Sequence, residues 1–404
     1  MSALSEKKAT VQEELSRWRR HLHRYPELSF KEFETTKFII EELKQMPGVK
    51  VEFGREKIGL STGVIATVGE GDGPVIGLRA DIDALPIKET TNVSYQSCHE
   101  GVMHACGHDG HTAMLLGAVQ VLATINQQTP LSGKVKCIFQ PAEETEDDHG
   151  KSGAQYMIEA GVLSDVEAVV ALHLDPELSV GKVKLCEGLA MANVDTFTAI
   201  IRGTGGHGAY PDQTADPIWL TSILLPTLYS LCNRRLSPLE PSVLSIGMIK
   251  GGAQTNVIPD SVKLKGTMRT YSEEARQQLE KELRTAIATV DSLGGTTELH
   301  VHKGEPALYN NPAVTSILRE AIKHRYPTTK CLNKPYGMGG EDFSHMTKQI
   351  PGAMLFLGAK KVDKICHLHQ PTFDIDERAL EIGTQILVHT VLTSFAKGGL
   401  SYGT

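Results

Sequence analysis

The chain has 404 residues, 40% apolar and 22% charged, a globular rather than disordered composition and a length that allows two or three domains. Its formal charge of −7 argues against nucleic acid or an anionic membrane as the main partner. Seven irregularly spaced cysteines (Cys98, Cys106, Cys137, Cys186, Cys232, Cys331, Cys366) do not make a disulfide framework and fit a reducing cytoplasm.

Met1 to Arg24 is highly charged and lacks an apolar core, so no signal peptide is expected. No apolar run is long enough to predict a membrane span. Lys8 to Glu42 predicts helix with one interruption: Val11, Leu15, Trp18 and Leu22 recur at helical spacing, Pro26 breaks the pattern, and Phe30, Phe33, Phe38 and Leu43 resume it. Strands are predicted at Val64–Val68 and Val75–Arg79, the second leading into Asp81-Ile82-Asp83. Acids at the end of a buried strand suggest a site, because sites in α/β sheets gather at strand C-terminal ends.

Met103 to Ala113 then places Cys106, His104, His108, His111 and Asp109 within one short stretch, with Gly107 and Gly110 to turn the backbone. Thr112–Ile125 predicts a buried helix, Lys134–Phe139 a strand delivering Glu143 and Glu144, Gly153–Ala160 a helix, and Ala168–Leu172 a strand delivering His173. This alternation predicts an α/β domain. After Gly188 the pattern changes. Strands at Val194–Ile201, Ser242–Ile249, Val262–Met268 and Thr297–His302 and helices at Pro217–Arg234 and Ser272–Leu293 give the order β-α-β-β-α-β, a ferredoxin-like split βαβ unit. From Pro312 the chain alternates again: a helix to Arg325, a turn at Gly337–Gly340, a strand at Ala353–Leu357, the stretch His367–Pro371 and a helix from Asp376 to Phe395. The expected organisation is an α/β domain in two parts, 1–187 and 303–404, with 188–302 inserted.

Thiolate, imidazole and carboxylate are the usual ligands of zinc and similar divalent metals. Met103–Ala113, Phe139–Glu144, Ala171–His173 and His367–Pro371 together are hard to explain as ordinary core. Glu143-Glu144 is either a solvated acidic loop continuing into Glu146, Asp147 and Asp148, or a metal ligand beside a general base. His173 is either a core histidine or a ligand, and either His367 or His369 could be one. His207 lies in the glycine loop Gly205–Ala209, as a surface residue or a functional one. Arg269 ends an apolar strand and needs a carboxylate, internal or from a substrate. Asn256 is a plausible amide donor.

Nearly the whole chain resembles the amidohydrolase branch of the aminoacylase/carboxypeptidase metallopeptidase family. The resemblance is carried by Trp18–Leu28, Arg79–Pro86, Met103–Ala113, Phe139–Glu144, Gly203–Ala209 with Asp216-Pro217, Asn256–Pro259, Gly339–Phe343 and Leu368–Pro371. It implies an α/β metallopeptidase catalytic domain with an inserted dimerisation domain. Cys106, His108, Glu144, His173 and His369 match the ligands of a two-metal centre holding two divalent ions per subunit (zinc, manganese, cobalt or nickel). Glu143 matches the general base and Asp83 an acid behind the metals. His207 matches a residue that reaches the partner subunit's active site in family dimers. Asn256 and Arg269 match positions that hold substrate, Arg269 through its carboxylate.

The activity implied is cleavage of N-acyl amino acids (N-acetyl, N-benzoyl or longer) to a carboxylic acid and a free amino acid. A metal-activated water would attack, and the enzyme would be a homodimer or a dimer of dimers. The alternatives are a metallo-carboxypeptidase or dipeptidase acting on short peptides, and a non-catalytic binding protein that keeps the fold. The sequence departs from the family at Asp81, where the wider family commonly has a metal-binding histidine, and at Asp212, where the branch often has histidine after proline.

Overall fold

The computed structural model describes residues 10–362 and 364–399. Residues 1–9, which include the start of the helix expected from Lys8, and the last residues of the second catalytic part lie outside the described residues. The chain forms two compact units, one of residues 1–188, 309–335 and 345–404, the other of 189–308 and 336–344.

The first unit is built on a sheet in the order Val49–Phe53, Val64–Val68, Lys134–Gln140, Val75–Asp81, Ala168–Ser179, Gly352–Lys360, Lys182–Lys184, Lys330–Leu332. The four central strands run parallel. They are buried along most of their length, with apolar stretches such as Val169–Leu172 and Ala353–Leu357, as strands covered on both faces must be. Helices Val11–Arg24, His108–Gln128 and Arg378–Ala396 pack on one another over a core that includes Leu15, Leu78, Leu115, Val170 and Leu387. Arg378–Ala396 is long and apolar enough to cross a membrane by length and composition, but it is mostly buried and serves as a core helix here.

Two of the shifts in predicted boundaries matter for chemistry. The helix expected at Thr112 begins at His108, with Gly107 at φ +100° as its N-cap. A side chain at Gly107 would be strained by that φ, and its Cβ would touch His111 Nε2 at 3.4 Å. The strand expected to end at Leu172 runs on to Ser179, so His173 stands within it. The polar residues Asp175, Glu177 and Ser179 hide that continuation from an apolar-run reading.

The second unit has a four-stranded antiparallel sheet in the order Ser242–Lys250, Ser261–Thr270, Asp195–Arg202, Thr296–Lys303. Helices Pro217–Arg234 and Glu273–Ala288 cover it around a core that includes Phe197, Ile201, Leu224, Leu264 and Leu283. This is the split βαβ order. Asp216 accepts from the Ile218 and Trp219 amides and Pro217 opens the helix, which is why that start is readable from sequence. Ser272 caps the other helix through the Ala275 amide, but regular helix stops at Ala288 and the last turns to Leu293 are 3₁₀. A two-residue pair, Gly206–His207 with Val257–Ile258, ties the His207 loop to the Asn256 turn.

Candidate metal centre

Strand register brings the first groups together. Asp81 pairs with Gln140 and His173 with Phe356. Arg79 pairs with Ala171, so Asp81 and His173, two residues further on, stand at the same level of the sheet. Beyond this row the chain turns into the loops that carry Asp83, Cys106 and Glu143-Glu144.

The nitrogens of the three buried histidines are sorted by what already holds them. His111 Nδ1 lies 2.6 Å from Asp81 Oδ1 and its Nε2 accepts the Leu174 amide at 2.8 Å, so neither is left for a metal. Asp81 is equally occupied, since its Oδ2 receives Arg79 Nη1 at 2.8 Å. The aspartate at the wider family's histidine position is thus locked by Arg79 and His111. His108 Nδ1 sits 3.0 Å from the Asp83 carbonyl and 3.3 Å from Asp83 Oδ1, which leaves its Nε2 for a ligand. His173 Nδ1 donates to the Leu174 carbonyl at 2.8 Å, and its Nε2 is 3.5 Å from Cys106 Sγ. His369 Nε2 lies 3.3 Å from Cys106 Sγ and 3.5 Å from Glu144 Oε1. His108 Nε2 is 3.7 Å from Glu144 Oε1 and 3.9 Å from Glu143 Oε2.

The donor sets among the described residues include Cys106/His108/His173, Cys106/Glu144/His369 and His108/Glu143/Glu144, each with donor atoms within 4.8 Å of one another. Cys106, His108 and Glu144 each occur in two of these sets, so the sets share ligands. His108 Nε2 and Glu144 Oε1 are buried without a hydrogen-bond partner. Such groups cost about 1–3 kcal/mol each when left bare, and a divalent cation satisfies both. The donor set therefore fits a metal. Asp83 accepts the Ser29 hydroxyl at 2.7 Å and the Glu144 amide at 3.0 Å through Oδ2, fixing the acid that orients His108. His367 is not part of the cluster and pairs with Glu177 at 2.6 Å. Asp147, in the acidic run, caps its own turn through the His149 and Lys151 amides.

Electrostatics agree with a site made for cations. Burial and the neighbouring Asp83 push Glu144 up to about 7 despite His108. Burial opposes charge on His108, but Asp81, Asp83 and Glu144 outweigh it and raise it to about 10. Burial holds His173 well below the ordinary histidine range and also lowers His369, keeping both neutral with lone pairs to give.

His207, Asn256 and Arg269 belong to the second unit. His207 Nδ1 accepts the Ala209 amide at 3.0 Å, so the exposed ring carries its proton on Nε2. The Asn256 carbonyl accepts from Gly208, and its side chain is exposed. Asp195 is taken by Arg276 at 2.5 Å; burial works against the Arg269 charge, which Glu305 and Asp195 favour, and Arg269 Nη1 is buried without a hydrogen-bond partner.

Sequence reasoning did not find the Arg79–Asp81–His111 lock, although Arg79 and Asp81, two apart on a strand, necessarily share a face. It also missed a buried network behind the helix start. There Arg19 Nε and His23 Nδ1 both meet Asp109 Oδ2 at 2.8 Å, and Arg19 Nη2 meets Asp374 Oδ1 at 2.8 Å. No local pattern announces it, because its members lie far apart in the chain.

The model of peptidase family M20/M25/M40 matches residues 77–393. The chain is 42% identical over 375 residues to N-acetyl-L-cysteine deacetylase of Bacillus subtilis, covering 92% of this chain and 86% of that one. It is 37% identical over 379 residues to thermostable carboxypeptidase 1 of Saccharolobus solfataricus, covering 93% of each. Among solved structures, a dinuclear metal binding peptidase of Bacillus subtilis matches with a TM-score of 0.82 at 34% identity, over 96% of this chain and 98% of that one.

Proposed function

The chain belongs to peptidase family M20/M25/M40 and is a hydrolase acting on amides, and on that premise we propose that it cleaves N-acyl amino acids to a carboxylic acid and a free amino acid. One observation carries the reading: Cys106, His108, Glu144, His173 and His369 converge, two of their buried donor atoms have no hydrogen-bond partner, and a second carboxylate, Glu143, lies beside them. Two divalent cations, zinc, manganese, cobalt or nickel, would lower the pKa of a water and polarise the acyl carbonyl. Glu143 takes the proton of the attacking water and returns it to the leaving amine. Asp83 keeps His108 in the tautomer that leaves Nε2 free. His207 donates its Nε2–H to the developing oxyanion. Arg269 receives the substrate carboxylate and Asn256 an amide contact. The unsatisfied Arg269 Nη1 supports that role.

We further propose a homodimer in which His207 serves the partner's active site. The strand Ser242–Lys250 ends its sheet with one edge unpaired by any described strand. Beside it Ile218 and Ile249 stand about half exposed and line a groove of 230 Å³. A second copy pairing edge to edge about a two-fold axis would cover both features.

The archaeal carboxypeptidase relative favours a second reading, release of C-terminal residues from short peptides. Both substrates place a carboxylate next to the scissile amide, so Arg269 suits either. A hydrolysis screen on metal-reconstituted protein separates them. N-acetyl and N-benzoyl amino acids should be cleaved with higher kcat/KM than dipeptides and tripeptides, and the reverse order would favour the peptidase reading.

A further inference from the structure

Among the described residues, four that are not glycine have positive φ: Phe30, Asn92, Ala142 and His369. Left-handed backbone at non-glycine residues is strained and persists only where surrounding contacts over-determine it. Ala142, at φ +52°, directly precedes Glu143, and Phe30 stands at φ +64°. Both amides point to the same acceptor. Glu32 Oε1 takes the Phe30 amide at 3.0 Å and the Ala142 amide at 2.8 Å.

Glu32 occupies the N-cap position of the helix Phe33–Lys44 but makes no capping bond with its side chain. Glu27 takes the Glu34 and Thr35 amides instead. The Glu32 carboxyl is thereby freed to enter the core, where the residue is fully buried. On the other side of Ala142, its carbonyl accepts the Gly153 amide at 2.8 Å. Both the N–H and the C=O of one strained residue are therefore held, the N–H by a side chain from a distant loop.

We propose that Glu32 is a positioning residue for the hydrolysis: its Oε1 clamps the strained Ala142 turn and so aims Glu143 at the attacking water. This rests on the reading of Glu143 as the base. The task needs an acceptor of the right reach rather than a negative charge. Burial and nearby Asp83 push Glu32 up to about 8, in keeping with a neutral carboxyl at neutral pH.

The test compares three variants by kcat, KM, metal content and thermal unfolding, using N-acetyl amino acid hydrolysis by the full chain. Glu32→Gln keeps the acceptor and should stay within about threefold of wild type in kcat. Glu32→Met fills the volume but accepts nothing, and should lose roughly 10–100-fold in kcat with metal content and KM little changed, the scale expected for a small misplacement of a catalytic group. Ala142→Gly relieves the left-handed strain and should restore part of that kcat in the Glu32→Met background. Should Glu32→Met not fold, Glu32→Asp, one methylene short, should lose at least about fivefold in kcat by the same argument. Wild-type kcat in Glu32→Met or Glu32→Asp, a loss matched by lost metal, or Glu32→Gln as impaired as Glu32→Met would overturn the proposal. Failure of the underlying reading is distinguishable, because it would show as full activity in Glu143→Gln itself.

Discussion

In the proposed mechanism adjacent glutamates 143 and 144 do different work, Glu144 as a ligand and Glu143 as the base. Glu144 Oε1 lies 3.7 Å from His108 Nε2 and 3.5 Å from His369 Nε2, whereas Glu143 Oε2 stands further from His108 Nε2, at 3.9 Å. Glu144→Gln should therefore lower metal affinity together with activity. Glu143→Gln should retain metal while losing at least about 10²-fold in kcat, the lower scale for removing a general base. Metal analysis and steady-state kinetics on the two purified variants decide this, and equal metal loss in both would contradict the division of roles. The sequence pattern suffices to name the ligand candidates, because residue type and resemblance select them. It does not say which nitrogens are spare. That depends on partners such as the Asp83 carbonyl and the Leu174 amide, which only the fold brings into reach.

Elements hold these groups in place through contacts that can be broken one at a time. The helix Val11–Arg24 is fastened to the start of His108–Gln128 by Arg19, Asp109 and His23, all fully buried. Removing one partner of such a pair leaves an uncompensated charge and typically costs about 3–5 kcal/mol. Arg19→Met should lose that much in urea unfolding near pH 7. Burial works against the Asp109 charge, but Arg19 and His23 overcome it and hold the carboxyl far below its usual range. A depressed folded pKa gives stability that is full above the unfolded value of about 3.9 and is lost as pH falls below it. The gap between wild type and Arg19→Met should therefore narrow as unfolding is followed from pH 6 toward pH 3, and a constant gap would argue against the ionic origin.

A second fastening lies at Gly153, where a Cβ would stand 1.7 Å from the Pro141 carbonyl oxygen. Gly153→Ala should push the Pro141–Glu144 turn outward, lowering both the melting temperature and kcat, as thermal unfolding and kinetics on the same preparation would reveal. Long elements with capping chemistry, such as Pro217–Arg234, are legible to the residue. The strand Val49–Phe53 is not predicted although it alternates, and Lys182–Lys184 and Lys330–Leu332 are too short for any periodicity to register.

At the scale of the whole molecule, the dimer proposal predicts complementation. His207→Ala and Glu143→Gln should each be inactive alone. Mixed and allowed to exchange subunits, they should recover about a quarter of wild-type activity, since heterodimers are half the population and one of their two sites is intact. No recovery despite demonstrated exchange would mean that His207 acts within its own chain or has no catalytic part.

The claim beneath all of these is that hydrolysis depends on divalent cations held by Cys106, His108, Glu144, His173 and His369. The most direct measurement is release of free amino acid from an N-acetyl amino acid by exhaustively chelated protein, followed by titration with zinc, manganese, cobalt or nickel. Activity should vanish on stripping and return with added metal, saturating near two ions per chain. Undiminished turnover by metal-free protein would contradict the account.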